Sequence, residues 1–227
     1  MGIARKLTLC TGVLTGLGSG VLGYLGATTT IASPLREDDT LWRSKSYAAY
    51  NPHGNPSTQD ICIKRVPLSK IKPELLEREG DLALEFCRGV WGGLGYRVQR
   101  AYLSRQYQGP ATAAQLWTVD QLSRSTYEPG TQLTDHFEVV DKTPSEIAVR
   151  CGDSPRKPGA RDSDGLFVIS AAVDRERGEA VFGLKSCFFV SSRRTEGIKG
   201  PMPGWMEVLH RWYSRLWIET GSWRVTR

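Results

Sequence analysis

The sequence predicts an α+β domain in which an antiparallel β-meander packs on a long C-terminal helix, preceded by an N-terminal transmembrane or targeting segment. Three observations carry this reading. An uncharged run extends from Leu7 to Leu35. Strand-like segments in the second half are joined by short turns, as antiparallel neighbours are. After Pro201 and Pro203, Trp205, Leu209, Trp212 and Leu216 recur at the spacing of one helix face. The expected division is an anchor or targeting segment over 1–35, a linker over 36–59 and the α+β domain over 60–227.

Leu7 to Ala27 has the length of about 20 mostly apolar residues that a spanning helix needs. Glycines interrupt it, and Gly12/Gly16 and Gly16/Gly20 have the GxxxG spacing that lets helix backbones approach in lipid. That spacing predicts a homo-oligomer contact. Four fates compete: a retained single-pass anchor, a secretory signal cut near Ala27 or Ala32, a mitochondrial presequence, and myristoylation at Gly2. The anchor is preferred, because the uncharged run exceeds the usual signal core of about 7–15 residues. Myristoylation is weakest, since Lys6 stands where Ser or Thr is expected. Basic residues flank both sides (Arg5 and Lys6 before; Arg36, Arg43 and Lys45 after) and leave orientation open. The choice between a mitochondrial membrane and an endomembrane is open too.

The linker carries a turn cluster, Asn51 to Pro56. Its aromatic residues Trp42, Tyr47 and Tyr50 predict that it lies against the domain or the membrane interface. Asp60 to Leu68 alternates as a first strand and ends at Pro67. Ser69 to Arg105 reads helical, opened by Pro73 and Glu74 and broken over Gly89 to Tyr96, where four glycines are poor helix formers. Gly92-Gly93-x-Gly95 follows a helix rather than a strand, so it is a bend and not a phosphate cradle. Ala114 to Leu122 is a strand or a short helix. Asp135–Asp141 with Glu146–Asp153, and Gly165–Asp174 with Glu179–Ser191, form two strand pairs, with a loop over Ser154–Ser163 between them. The last helix runs from about Gly204 to Trp223.

With 227 residues, 40% of them apolar and 24% charged, the chain is long enough for one domain with its own core. The net charge is +6; without Arg5 and Lys6 there are 28 basic and 24 acidic residues, interspersed with no stripe suited to a phosphate backbone. Nucleic acid is therefore not an expected partner. The five cysteines form no CxxC pair and the three histidines are scattered, so no metal site is expected and no cofactor is called for. Cys62, Cys87, Cys151 and Cys187 form two bridges in an oxidising space or serve as small buried apolar residues; the second is preferred. No GxSxG, HExxH or P-loop motif is present, which argues against hydrolase and nucleotide-driven chemistry.

The remaining candidates lie at strand ends that a hairpin brings together. His136 has the pKa range of a general acid or base near neutral pH. Asp135 or Asp153 would orient it, and Arg150 would stabilise an enolate or carboxylate. Successive strand residues face opposite sides, so Asp135 and His136 enter one pocket only through a bulge. The plainer reading pairs Arg150 with an acid on a neighbouring strand. Cys151 as a nucleophile with His136 is a further option. Asp162 and Asp164 beside Arg161 bind a ligand or cap a turn; the turn is preferred.

The element order resembles the helix-grip arrangement of the START and polyketide-cyclase-like superfamily. More narrowly, residues 60–223 are similar to an uncharacterised fungal protein family, through Cys87-Arg88-Gly89-Val90-Trp91-Gly92-Gly93, Thr134–Val140, Val149-Arg150-Cys151-Gly152-Asp153-Ser154-Pro155 and Ser163-Asp164-Gly165-Leu166-Phe167. The resemblance implies a curved sheet around the final helix and an apolar cavity for a lipid, polyketide or similar small molecule, lined by Trp205, Trp212, Phe137, Phe167 and Phe188. The expected function is a membrane-tethered domain, held through residues 7–27, that binds an apolar small molecule. A cofactor-free cyclase, isomerase or dehydratase of fungal secondary metabolism using His136, Arg150 and Asp153 is the second expectation. A structural or assembly protein of an organelle membrane is the third.

Overall fold

In the computed structural model, which describes residues 20–227, seven strands form one antiparallel sheet in the order β1-β2-β7-β6-β5-β4-β3. They are β1 (Thr30–Ala32), β2 (Thr58–Pro67), β3 (Gln132–Leu133), β4 (Phe137–Lys142), β5 (Glu146–Gly152), β6 (Asp164–Asp174) and β7 (Glu179–Phe189). From β4 to β7 each strand pairs with the next, which is the expected meander. The helices are a segment over 20–28 (α1), α2 (Lys45–Tyr50), α3 (Asp81–Gly92), α4 (Leu94–Tyr107), α5 (Val119–Arg124) and α6 (Gly204–Ser222).

Side-chain alternation splits the sheet into two faces. On one, Phe137, Val149, Phe167, Ile169, Phe182 and Leu184 pack with Phe86, Val90, Trp91, Trp217 and Ile218 from α3 and α6. On the other, Leu166, Val168, Cys187 and Phe189 pack with Leu35, Leu41, Tyr47 and Tyr50. Residues 35–50, within or beside the expected linker, thus cover the back of the sheet. Tyr47 meets Phe189 edge-on, with ring centroids 6.0 Å apart. Cover on both faces is why β6 is buried at six successive positions from Asp164 to Ile169.

The sheet takes its edge strand, β1, from the stretch that the sequence assigns to the anchor: Thr30, Ile31 and Ala32 pair with Ile63, Cys62 and Ile61. The α1 helix docks on α6. Tyr24 and Thr28 donate to Glu219, and the Arg215 guanidinium donates to the Leu25 and Thr29 carbonyls at the end of α1. A cation on the last carbonyls of a helix satisfies orphan acceptors and complements the dipole. Among the described residues, no helix is long and apolar enough to cross a membrane. Residues 7–19 of the expected span, with Gly12 and Gly16, lie outside the described residues.

The glycine-rich stretch is a helix break, as expected: α3 ends at Gly92 and α4 starts at Leu94. Its glycines also let α3 and α4 approach α6. A Cβ on Gly95 would come within 2.6 Å of Thr220 Oγ1, and one on Gly89 would overlap the Gly221 carbonyl. Backbone cannot swing aside as a side chain can. Gly89→Ala is therefore expected to cost about 1–3 kcal/mol through overpacking, read as a lower urea midpoint.

The region Ala114–Leu122 contains the short α5, fixed by a capping box between Thr118 and Gln121. The four cysteines among the described residues, Cys62, Cys87, Cys151 and Cys187, are buried free thiols. The terminal helix has its expected extent but not its expected face. Trp205 and Leu209 are exposed, while the side packed inward is Ser214, Trp217, Ile218 and Gly221.

Candidate ligand cavity

Between the sheet, α4 and α6 lies a cavity of about 300 Å³. Phe137 (β4), Cys151 (β5), Phe167 (β6) and Phe188 (β7) reach it from the sheet, because each occupies the helix-facing register of its strand. Gln99 comes from α4, and His210, Tyr213, Ser214 and Trp217 come from two successive turns of α6. His136 and Ser163 stand at strand ends. Trp217 centres the aromatic wall, with ring centroids 5.0 Å from Tyr213, 5.4 Å from Trp91 and 5.5 Å from Phe167.

Two polar groups sit in this wall. Tyr213 Oη and Trp217 Nε1 are buried, with no hydrogen-bond partner among the described residues. Burial pushes the Tyr213 phenol up to about 12, so it stays neutral at physiological pH. The indole nitrogen is a donor only. The Trp217 indole N–H lowers the Tyr213 phenol in opposition to burial, so the two polar atoms face each other within the wall rather than the open cavity.

Two histidines line the same cavity. His136 packs against Tyr107 with ring centroids 4.7 Å apart and planes tilted by 56°, and its Nδ1 lies 3.4 Å from the Thr134 carbonyl. His210 meets Phe188 edge-on at 5.1 Å, and its Nε2 lies 3.5 Å from Asp60 Oδ1. Asp60 is on the helix-facing side of β2, 1% exposed; Arg211 Nε is 3.6 Å from its other oxygen, and neither oxygen accepts a hydrogen bond. Ser214 Oγ lies 3.4 Å from the same His210 Nε2. Serine and aspartate therefore compete for one ring nitrogen, whereas a hydrolytic triad needs them on opposite nitrogens.

The predicted acid–base constellation does not assemble. Arg150 precedes Cys151 and so faces the back of the sheet, where it makes a bidentate pair with Asp164 at 2.9 and 2.6 Å, beneath the Tyr50 ring. This is the cross-strand pairing that the plainer reading anticipates. Asp153 lies outside the cavity wall, 3.6 Å from Lys157. Asp135 does not orient His136 either: it turns inward at φ 61° and binds Arg156, Ser154 and Gln115. Cys151 reaches the cavity, but burial, reinforced by Asp164, holds its thiol well above the ordinary range and suppresses the thiolate.

Of the predicted ligand-contact residues, Phe137, Phe167 and Phe188 line the cavity. Trp205 and Trp212 do not. Trp205 is on the outer side of α6, 65% exposed, and Trp212 lies under Arg215 near Gly26. The sequence reading missed His210, Tyr213 and Trp217. Their signal was a second stripe on the same helix, 210-213-214-217-221, diluted by a serine and a glycine. Among the described residues no cluster of His, Cys, Asp and Glu suits a metal ion. No family model matches the chain, and no curated protein or solved structure is significantly similar to it.

Proposed function

We propose that the chain is a membrane-tethered domain that binds an apolar, ring-bearing small molecule. The observation that carries this is the cavity of about 300 Å³ between sheet and α6, walled by Phe137, Phe167, Phe188 and Trp217. Its volume is at the lower end of ligand sites, about 300–1,000 Å³, and favours a compact ligand over a long acyl chain. The uncharged residues 7–19 that precede α1 support the tether, while residues 20–27 of the expected span are docked on α6.

The test is a panel of sterols, fatty acids and aromatic polyketides against the full chain in nanodiscs. At least one ring compound is expected to raise the melting temperature and quench tryptophan emission saturably. Phe188→Ala should weaken that binding about tenfold, the loss of about 1.4 kcal/mol of aromatic contact. A folded chain that responds to no member of the panel removes the proposal.

The two histidines favour a second reading, a cofactor-free enzyme moving a proton on the bound molecule, with His210 backed by Asp60 in place of the predicted Arg150 and Asp153. It requires that His136→Gln or His210→Gln retain binding but lose turnover of the ligand that the panel identifies.

A further inference from the structure

A second concavity lies at the root of α1, on the opposite flank of α6 from the ligand cavity. It is a groove of about 570 Å³ between α1, the β2 edge and the C-terminal residues. Four basic side chains line it, Lys64, Arg65, Lys70 and Arg227, against a single acidic one, Glu219. Glu219 is neutralised by Lys64, and Arg65 lies 3.6 Å from Glu179 outside the groove. Lys70 and the Arg227 guanidinium are exposed, with no carboxylate partner among the described side chains; Arg227 instead donates to the Ser69 carbonyl.

Two amphipathic rings flank these charges. Tyr24 is 53% and Trp223 54% exposed, yet the polar atom of each is fixed on Glu219, at 3.0 and 3.1 Å. Their ring surfaces are thus held outward rather than free to fold back. Further along α1 the exposed residues are apolar, Val21 and Leu22. The surface therefore grades from aliphatic (Val21, Leu22) through aromatic (Tyr24, Trp223) to cationic (Lys70, Arg227). Tyrosine and tryptophan favour the headgroup level of a bilayer, and cations next to it attract anionic lipid.

We infer that this groove seats on anionic lipid headgroups, so that Trp223 enters the interface and Lys70 and Arg227 face the phosphates. The inference rests on the tethered reading above, and it fixes which side of the domain meets the membrane. The ligand cavity then opens away from the contact made by Trp223.

The test uses the full chain in liposomes containing bromine-labelled lipid. Comparing wild type with Trp223→Phe isolates the contribution of one of seven tryptophans. With phosphatidylserine present, the Trp223-dependent quenching is expected to be strong and to fall with salt. Lys70→Gln and Arg227→Gln should each shift the docking equilibrium about fivefold. If the chain resists carbonate extraction but Trp223→Phe leaves quenching unchanged, the groove inference is overturned and the tether stands. If carbonate releases the chain, the tether falls. Flotation of that chain with phosphatidylserine vesicles, dependent on Lys70 and Arg227, then supports the groove, and its failure to float overturns it.

Discussion

Glu219→Ala is expected to destabilise the domain by about 3–5 kcal/mol, because it leaves the Lys64 ammonium buried without its partner. Glu219 is 3% exposed and accepts from four groups: Lys64 on β2, Tyr24 and Thr28 on α1, and Trp223 just beyond α6. No other carboxylate in the described fold joins the edge of the sheet, the N-terminal helix and the tail helix in this way. Urea denaturation should show the loss, and hydrogen exchange should show residues 20–32 opening first. Glu219→Gln keeps the shape and part of the hydrogen bonding, so it should fall between wild type and alanine.

The same carboxylate predicts an acid limb. Burial by itself would raise its pKa, but the Lys64 hydrogen bond and charge, with Trp223 and Tyr24, outweigh burial and hold it below the ordinary glutamate value. A group depressed in the folded state contributes stability above its unfolded pKa, about 4.3, and loses it as pH falls through the lower folded value. Stability should therefore be flat in this contribution near neutrality and decline below about pH 4.3. In Glu219→Gln that part of the decline should disappear; an unchanged acid limb would show that other carboxylates set it.

The second large effect concerns Arg150 and Asp164. Removing either leaves the other charge buried, at 7% and 2% exposure, and should cost about 3–5 kcal/mol. The pair also ties the 154–163 loop to the sheet, because Arg150 donates to the Gly159 carbonyl and Ser191 donates to Asp164. Replacing both by apolar residues, Arg150→Met with Asp164→Leu, should recover most of the loss, since a buried pair is often no better than packed apolar side chains. Neither residue touches the ligand cavity. Ligand affinity in the folded double variant should match wild type, and a large loss of affinity would return Arg150 to the site.

Arg150 also shows where reading letters succeeds and where it stops. The strands were legible, because alternation over β2, β4 and β5 and the short Arg175–Gly178 turn carry local signals. Face assignment was harder. Arg150 and His136 sit close in sequence terms at two paired strands, but a period of two sends Arg150 to the back, and His136 belongs to a turn rather than to β4.

The terminal helix makes the same point differently. Its outer stripe, Trp205, Leu209, Trp212 and Leu216, is the more hydrophobic by residue type. The inner face instead needs Ser214 and Gly221, since a Cβ on Gly221 would come within 2.8 Å of Val90. Small residues mark close approach, and hydrophobic periodicity does not count them. The back cover by residues 35–50 was signalled by Trp42, Tyr47 and Tyr50, which pack on the sheet, whereas the edge strand β1 left little local trace, because three strand residues within a long uncharged run look like any other part of it.

The docking of α1 has a mechanical consequence. Tension on the polypeptide at Gly20 enters the domain through Glu219 and Arg215, two turns of the helix whose other side carries Tyr213, Ser214 and Trp217. A pull from the N-terminal side is thereby shared between the sheet, through the Lys64–Glu219 pair on β2, and the helix that walls the candidate cavity. α6 is the one beam that carries both the docked N-terminal helix and the cavity wall.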